Sequence, residues 1–166
     1  QLGLIVACLV APLQEARQFA LPFAWIWPLL VWSSMGTREE RFRTDQIVFS
    51  SPRSLTRQLP AVLVAGAIVA MIAGSGIVVR LLFTGDWSGV AMWAVATLFI
   101  PSFALTAGVW SGSSKLFEVV YLFLWYVGPM SKTPPLDFIA TSGITAIPSL
   151  PFVYLGLTGM LMVAAY

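Results

Sequence analysis

The residues able to do chemistry are few in this chain, and they are unevenly placed. Of nine basic and seven acidic side chains, half fall between Met35 and Leu59, in MGTREERFRTDQIVFSSPRSLTRQL. Two others, Arg80 and Glu118, lie inside or beside apolar runs, where an ionisable group is a candidate functional residue by default. Each also has a plain structural account. Arg80 is within about a turn of a helix end and can snorkel to an interface. Glu118 lies near the start of a helix that Ser114 can cap, where the dipole favours a carboxylate and Lys115 is within one turn. Histidine and asparagine are absent, which removes histidine general-base chemistry, histidine-built zinc sites and Asn-linked glycosylation from this sequence. Glu15, Asp86 and Asp137 are scattered over separate loops, so no pair of acids for hydrolysis is evident. The lone Cys8, in LGLIVACLVAPL, cannot pair within the chain or complete a metal cluster, and reads as a small buried hydrophobe. GVWSGSSK, Gly108 to Lys115, has the residue types of a phosphate loop in the wrong order. No cofactor, metal or catalytic residue is expected, and any ATPase must be a separate polypeptide or domain.

Apolar helices must position these groups. The chain is 58% hydrophobic and 10% charged, with mean hydropathy +0.87, whereas a soluble domain carries about a quarter charged residues. That composition points to lipid as the solvent. A net charge of +2 without a basic stripe gives no footprint for nucleic acid. A membrane crossing needs about 20 apolar residues, and Phe19 to Met35, Pro60 to Phe83 and Trp87 to Trp110 qualify. Lys115 to Gly128 is shorter but dense in aromatics. Leu2 to Leu13 and Pro151 to Tyr166 meet the ends of the sequence while still apolar, so the chain is read as part of a longer protein, and Leu2 to Leu13 as a truncated span rather than a signal peptide. The expected fold is an all-α polytopic membrane bundle of about six spans, one transmembrane domain over 1–166. Within it, 130–150 is an external segment, re-entrant around Asp137 to Ile147 with Asp137 as a helix N-cap, because irregular backbone at membrane depth must be enclosed by protein.

Counting arginine and lysine over short loops sets the orientation. With 36–58 in the cytoplasm, that side holds Arg38, Arg41, Arg43, Arg53, Arg57 and Lys115. The other holds Arg17, Lys132 and Arg80. Trp87, Trp110 and Trp125 then fall near span ends, as an aromatic belt requires. Gly66, Ala70 and Gly74, and also Gly3, Ala7 and Ala11, offer small residues at spacing four for close helix packing.

The charged stretch has its own order. Thr37-Arg38-Glu39-Glu40 has the form of a capping box and predicts a helix start. Glu39 with Arg43 and Arg41 with Asp45 are i,i+4 pairs of opposite charge, and Ser50-Ser51-Pro52 ends the helix. Arginines that only anchor topology need net positive charge, whereas this helix interleaves acids and bases in register. Arg38, Glu39, Glu40, Arg41, Arg43 and Asp45 therefore read as a docking surface for a cytoplasmic partner.

WSSMGTREERFRTDQIVFSSPRSLTRQLPA, with the later GVWSGSSKLFEVVYLFLWYVGP and PPLDF, resembles the bacterial ABC-2-type permeases, the membrane subunits of ATP-binding-cassette exporters. The resemblance is carried by Met35, Gly36, Arg38, Glu39, Thr44 and Phe49 to Pro52, then by Ser113 to Lys115, Phe117, Glu118, Tyr121, Trp125, Tyr126, Gly128, Pro129 and Asp137. It runs from Trp32 to Phe138. It implies a multi-pass subunit of the bacterial cytoplasmic membrane, with a cytoplasmic ABC ATPase docking after the second span, a second permease copy or half beside it, and re-entrant helices on the far side between the last two spans. The external segment here is shorter than the resemblance implies. A non-transporting membrane scaffold or assembly protein is the alternative, followed by an intramembrane enzyme.

Overall fold

In a computed structural model of the chain, which describes residues 2–37, 54–139, 141 and 149–165, every regular element is helical. Proline and glycine decide where the helices stop. Helix α1 (Leu2–Val10) ends two residues before Pro12, which serves as N-cap of α2 (Leu13–Glu15). The helix continues through a π-helical turn, Ala16–Ala20, into α3 (Leu21–Ile26). There the Leu21 amide donates to Ala16 five residues back, and Pro22, next in line, has no amide to place. Pro28 then separates α3 from α4 (Leu29–Trp32). The expected span Phe19 to Met35 is therefore not one uninterrupted helix. Helical backbone begins earlier, at Leu13, and the break falls at Trp27–Pro28 because proline both lacks an amide and crowds the carbonyl one turn back.

The expected span Pro60 to Phe83 is also divided. Helix α5 (Ser54–Ala73) and α6 (Ser75–Thr84) are bent by 65° at Gly74. Helix α7 (Trp87–Ser111) is the longest element. The Asp86 carboxylate starts it by accepting the Gly89 amide at 3.0 Å, and Gly112, in the left-handed region at φ 60°, ends it. Helix α8 (Ser114–Trp125) is capped by Ser113, whose hydroxyl accepts the Lys115 amide at 3.3 Å. Ser114, the expected cap, is instead the first helical residue. A second π-helical turn, Tyr126–Met130, contains Pro129, and a short 3-10 turn, Pro134–Leu136, precedes α9 (Leu150–Ala165).

Helix α7 lies at the centre, with α4, α5, α6, α8 and α9 packed against it. Small residues let backbones meet on it. A Cβ at Gly108 would collide with the Met35 carbonyl, and one at Gly66 would lie 2.9 Å from Pro101. Gly66 and Gly74 of the α5 stripe thus face neighbours, and Ala70 between them is fully buried. The α1 stripe behaves otherwise: Gly3 faces open space, and Cys8 is the residue α1 buries.

Among the described residues, α7 is the one helix long and apolar enough to cross a membrane alone. Gln58–Ala73 and Ser75–Thr84 reach that length as a bent pair, and Leu150–Ala165 is apolar but shorter.

Candidate functional site

The six residues expected to form the coupling surface, Arg38, Glu39, Glu40, Arg41, Arg43 and Asp45, lie outside the described residues, as do Glu40 of the capping box and the i,i+4 pairs. The points where this stretch leaves and rejoins the bundle are described. Gly36 adopts φ 77°, and a Cβ there would lie 2.7 Å from the Leu105 carbonyl, so the backbone at 35–36 rests directly on the last turns of α7. On the return, Leu59, Pro60 and Leu63 of α5 line a small apolar cleft with Ser102 and Leu105 of α7 and Met162 and Ala165 of α9. Helix α9 runs alongside α7 in the same direction, its Leu161 and Ala164 carbonyls accepting the Thr106 hydroxyl and the Trp110 indole, each at 2.9 Å. Both flanks of the charged stretch therefore bear on one layer, at the end where α7 and α9 finish.

Lys115 and Glu118 are close by in sequence, one turn into α8, paired at 3.7 Å. Glu118 is thus held at the helix start as expected, with Ser113 rather than Ser114 as the cap. Arg80 does not simply extend into solvent. Its guanidinium donates to the carbonyls of Cys8, at 3.2 Å, and Ala11, closing the C-terminal end of α1. At the opposite end of α7, Arg17 pairs with Asp86. Helix α8 runs back beside α3, with the Tyr121 hydroxyl donating to the Trp25 carbonyl at 2.7 Å and the Trp125 indole to Pro22 at 2.8 Å. Lys132 follows at that far end.

Beyond Lys132 the chain turns inward. The Leu136 carbonyl lies where a side chain at Gly128 would go, and Pro135 accepts the Tyr154 hydroxyl at 3.0 Å. Phe138 then reaches Phe99, the midpoint of α7, with ring centroids 6.5 Å apart, and Tyr121 at 6.1 Å. Asp137 is buried and accepts the Thr141 amide at 3.0 Å and its hydroxyl at 2.9 Å. The helix that Asp137 is expected to cap lies outside the described residues, which after Ile139 resume at Thr141 and then at 149.

Phe138 joins a layer of aromatic rings that sequence reasoning passed over. Trp25, Trp32, Phe99, Phe117, Tyr121 and Tyr154 pack edge-on, tilted or stacked at the middle of the bundle. Spacing gave a signal for part of it: Phe117 and Tyr121, four apart within α8, share one helix face, whereas Trp25 and Trp32 lie on either side of the Pro28 break. Within α7 the hydroxyls of Thr97, Ser102 and Thr106 each donate to a carbonyl one turn back. No group of three potential metal ligands occurs among the described residues.

No protein-family model, curated protein or solved structure matches the chain.

Proposed function

We propose that the chain is a membrane-spanning subunit of an ABC-2-type exporter, which couples ATP hydrolysis in a cytoplasmic ATPase to movement of a substrate across the bacterial inner membrane. The observation that carries the membrane part is the outward surface. Val64, Ile68, Met71 and Ile72 on α5, Val119 and Phe123 on α8, and Phe152, Val153, Met160 and Val163 on α9 are all exposed. Soluble monomers rarely leave a contiguous apolar patch larger than a few hundred Å² uncovered. The described charges sit near helix ends or, for Asp137, are buried within the bundle. Spans in this reading are α7, the bent α5–α6 pair, and shorter helices completed by π-helical turns or by the re-entrant segment, which gives about six crossings.

The coupling part rests on the resemblance and on the charge pattern of 36–58. Closure of paired ATPase subunits would press on Arg38 to Ser51. Force would enter through the Gly36 contact to α7 and through the start of α5, tilting both against a second permease copy or half. Gly74 lets α5 tilt without carrying α6 with it.

The test is charge reversal at Glu39, read by ATPase pull-down and substrate-stimulated hydrolysis in nanodiscs. Glu39→Lys adds cytoplasmic positive charge, so insertion survives, while ATPase association weakens roughly tenfold or more. Lys132→Glu, at the far end and exposed, is the control; Asp86 would be a poor one, because its reversal breaks the pair with Arg17. Full ATPase binding and coupling in Glu39→Lys, or equal damage from Lys132→Glu, contradicts the docking role and leaves the stretch as a topological anchor.

A further inference from the structure

Helices α5 and α6 bow away from α7 at their joint, and one tryptophan fills the gap. Helix α5 runs antiparallel to α7, with Gly66 on Pro101, where a Cβ would lie 2.9 Å from the proline, and Gly74 opposite Trp93. Both pairs keep one register, since 66 to 74 and 101 to 93 are equal steps along the two helices. At Gly66 the backbones come close. At Gly74 they stand apart by the length of an indole, whose nitrogen occupies the place a Cβ at Gly74 would take. Beyond the joint, α6 returns to α7 through the turn at Gly85, and the pair between Asp86 and Arg17 holds that end. The 65° bend at Gly74 therefore has Trp93 on its inner side.

The two arms of the bend are held unequally. Helix α6 is fastened to α1: a Cβ at Gly76 would lie 2.6 Å from the Ile5 carbonyl, and the Arg80 guanidinium donates to the carbonyls of Cys8 and Ala11. Helix α5 has room at its first turns, where Leu59, Pro60 and Leu63 line an open apolar cleft with residues of α7 and α9. The joint itself is poorly satisfied. The indole N–H groups of Trp93 and of Trp25, which reaches Gly74 from α3, are buried without a hydrogen-bond partner, and phenylalanine would fill the same gap without that penalty. We propose that Trp93 is the positioning residue of this joint: its ring, lodged between Gly74 and α7, sets the angle of α5 to α6, and withdrawal of the ring lets the bend open out towards α7. The unpartnered N–H groups destabilise the lodged arrangement and bring the withdrawn one closer to it in free energy. The inference deepens the coupling reading, which needs α5 to tilt about Gly74, but the angle is a property of the chain alone.

Spin labels on cysteines at Ala61 and Phe83, both exposed, report the angle for the full chain in nanodiscs, in a Cys8→Ala background. No ATPase is present, so this measurement and the ATPase pull-down fail separately. At about 1.5 Å per residue, the two positions are about 28 Å apart along axes bent by 65° and about 33 Å apart along a straight helix. Wild type should give the shorter separation. Trp93→Phe, which keeps a ring in the gap, should hold it, and Trp93→Ala should lengthen it by up to about 5 Å. Gly74→Ala places a methyl group where the indole sits. It should lengthen the separation as Trp93→Ala does and lower the thermal midpoint, whereas in the Trp93→Ala background the same change should leave the midpoint where it was. Trp93→Leu takes the place of Trp93→Ala if the latter does not insert. A separation that Trp93→Ala leaves unchanged, a Trp93→Phe variant displaced as far as Trp93→Ala, or a loss of midpoint from Gly74→Ala that is equal in both backgrounds overturns the assignment.

Discussion

Asp86 does two things with one carboxylate. One oxygen accepts the Gly89 amide at 3.0 Å and the Ser88 hydroxyl at 2.7 Å, starting α7, while the other meets the Arg17 guanidinium from the turn before α3. Burial pushes the Asp86 carboxyl up, but Arg17 and the two local donors outweigh it and hold the group at about 2. An unfolded aspartate titrates near 3.9. The folded value is therefore depressed, so the stabilisation is complete above about pH 4 and is lost as pH falls towards 2. Thermal midpoints of the purified protein should be flat above pH 5 and fall below pH 4. Asp86→Asn keeps a good helix cap but loses the ion pair, and should lower the neutral-pH midpoint while removing this component of the acid slope. An unchanged acid slope in that variant contradicts the assignment. Glu118 sets the opposite expectation. Its partner Lys115 is 81% exposed, and such surface pairs contribute about 0–1 kcal/mol. Glu118→Gln should shift stability by less than about 1 kcal/mol and leave transport intact. A well-folded variant that no longer transports would make Glu118 part of an ion or proton path.

At the scale of elements, a close backbone contact forms where the last turns of α7 meet Met35–Gly36. Gly108→Ala would drive a methyl group into the Met35 carbonyl. Backbone on both sides leaves little room to yield, so destabilisation of about 1–3 kcal/mol is expected by chemical denaturation. Gly85→Ala serves as a contrast in which strain comes from φ 70° alone, with open space around the new atom. Equal tolerance of Gly108→Ala and wild type would mean that the close approach is absent. Much of this level was legible in the sequence. Trp87 to Trp110 is α7 to within one residue, and Pro151 to Tyr166 is α9 to within one at each end, because uniform apolar runs bounded by Asp-Trp, Gly-Ser or Pro leave little choice. The internal breaks were not foreseen. Hydropathy sums over Trp27–Pro28 and over Gly74 without registering them, since Pro and Gly inside an apolar run change backbone geometry and not transfer free energy. The small-residue stripes divide for a related reason. Gly66-Ala70-Gly74 faces α7 and its neighbours while Gly3 faces open space, and spacing alone carries no information about which face finds a partner.

At the scale of the whole molecule, the order along α7 is what gives the proposal its form. Arg17, Asp86 and Lys132 belong to one end, Gly36, Ser113 and Lys115 to the other, and an aromatic layer with Phe138 dipping to the midpoint of α7 lies between. With about 36 Å between the ends of a 25-residue helix, that separation suits a hydrocarbon core of about 30 Å. The candidate coupling residues lie outside the described residues, so their role rests on sequence: the alternation of Glu and Arg and the resemblance to ABC-2-type permeases. Everything proposed for them requires that the end bearing 36–58 be cytoplasmic and the end bearing Ser131 be external. The most direct measurement is therefore sidedness. Single cysteines at Thr44 and Ser131, each in a Cys8→Ala background, are exposed to an impermeant thiol reagent on intact cells and again after permeabilisation. The account predicts labelling at 131 in intact cells and at 44 only after permeabilisation. Labelling at 44 but not at 131 in intact cells would invert the bundle, and labelling that is equal for both in the soluble fraction would remove it from the membrane altogether.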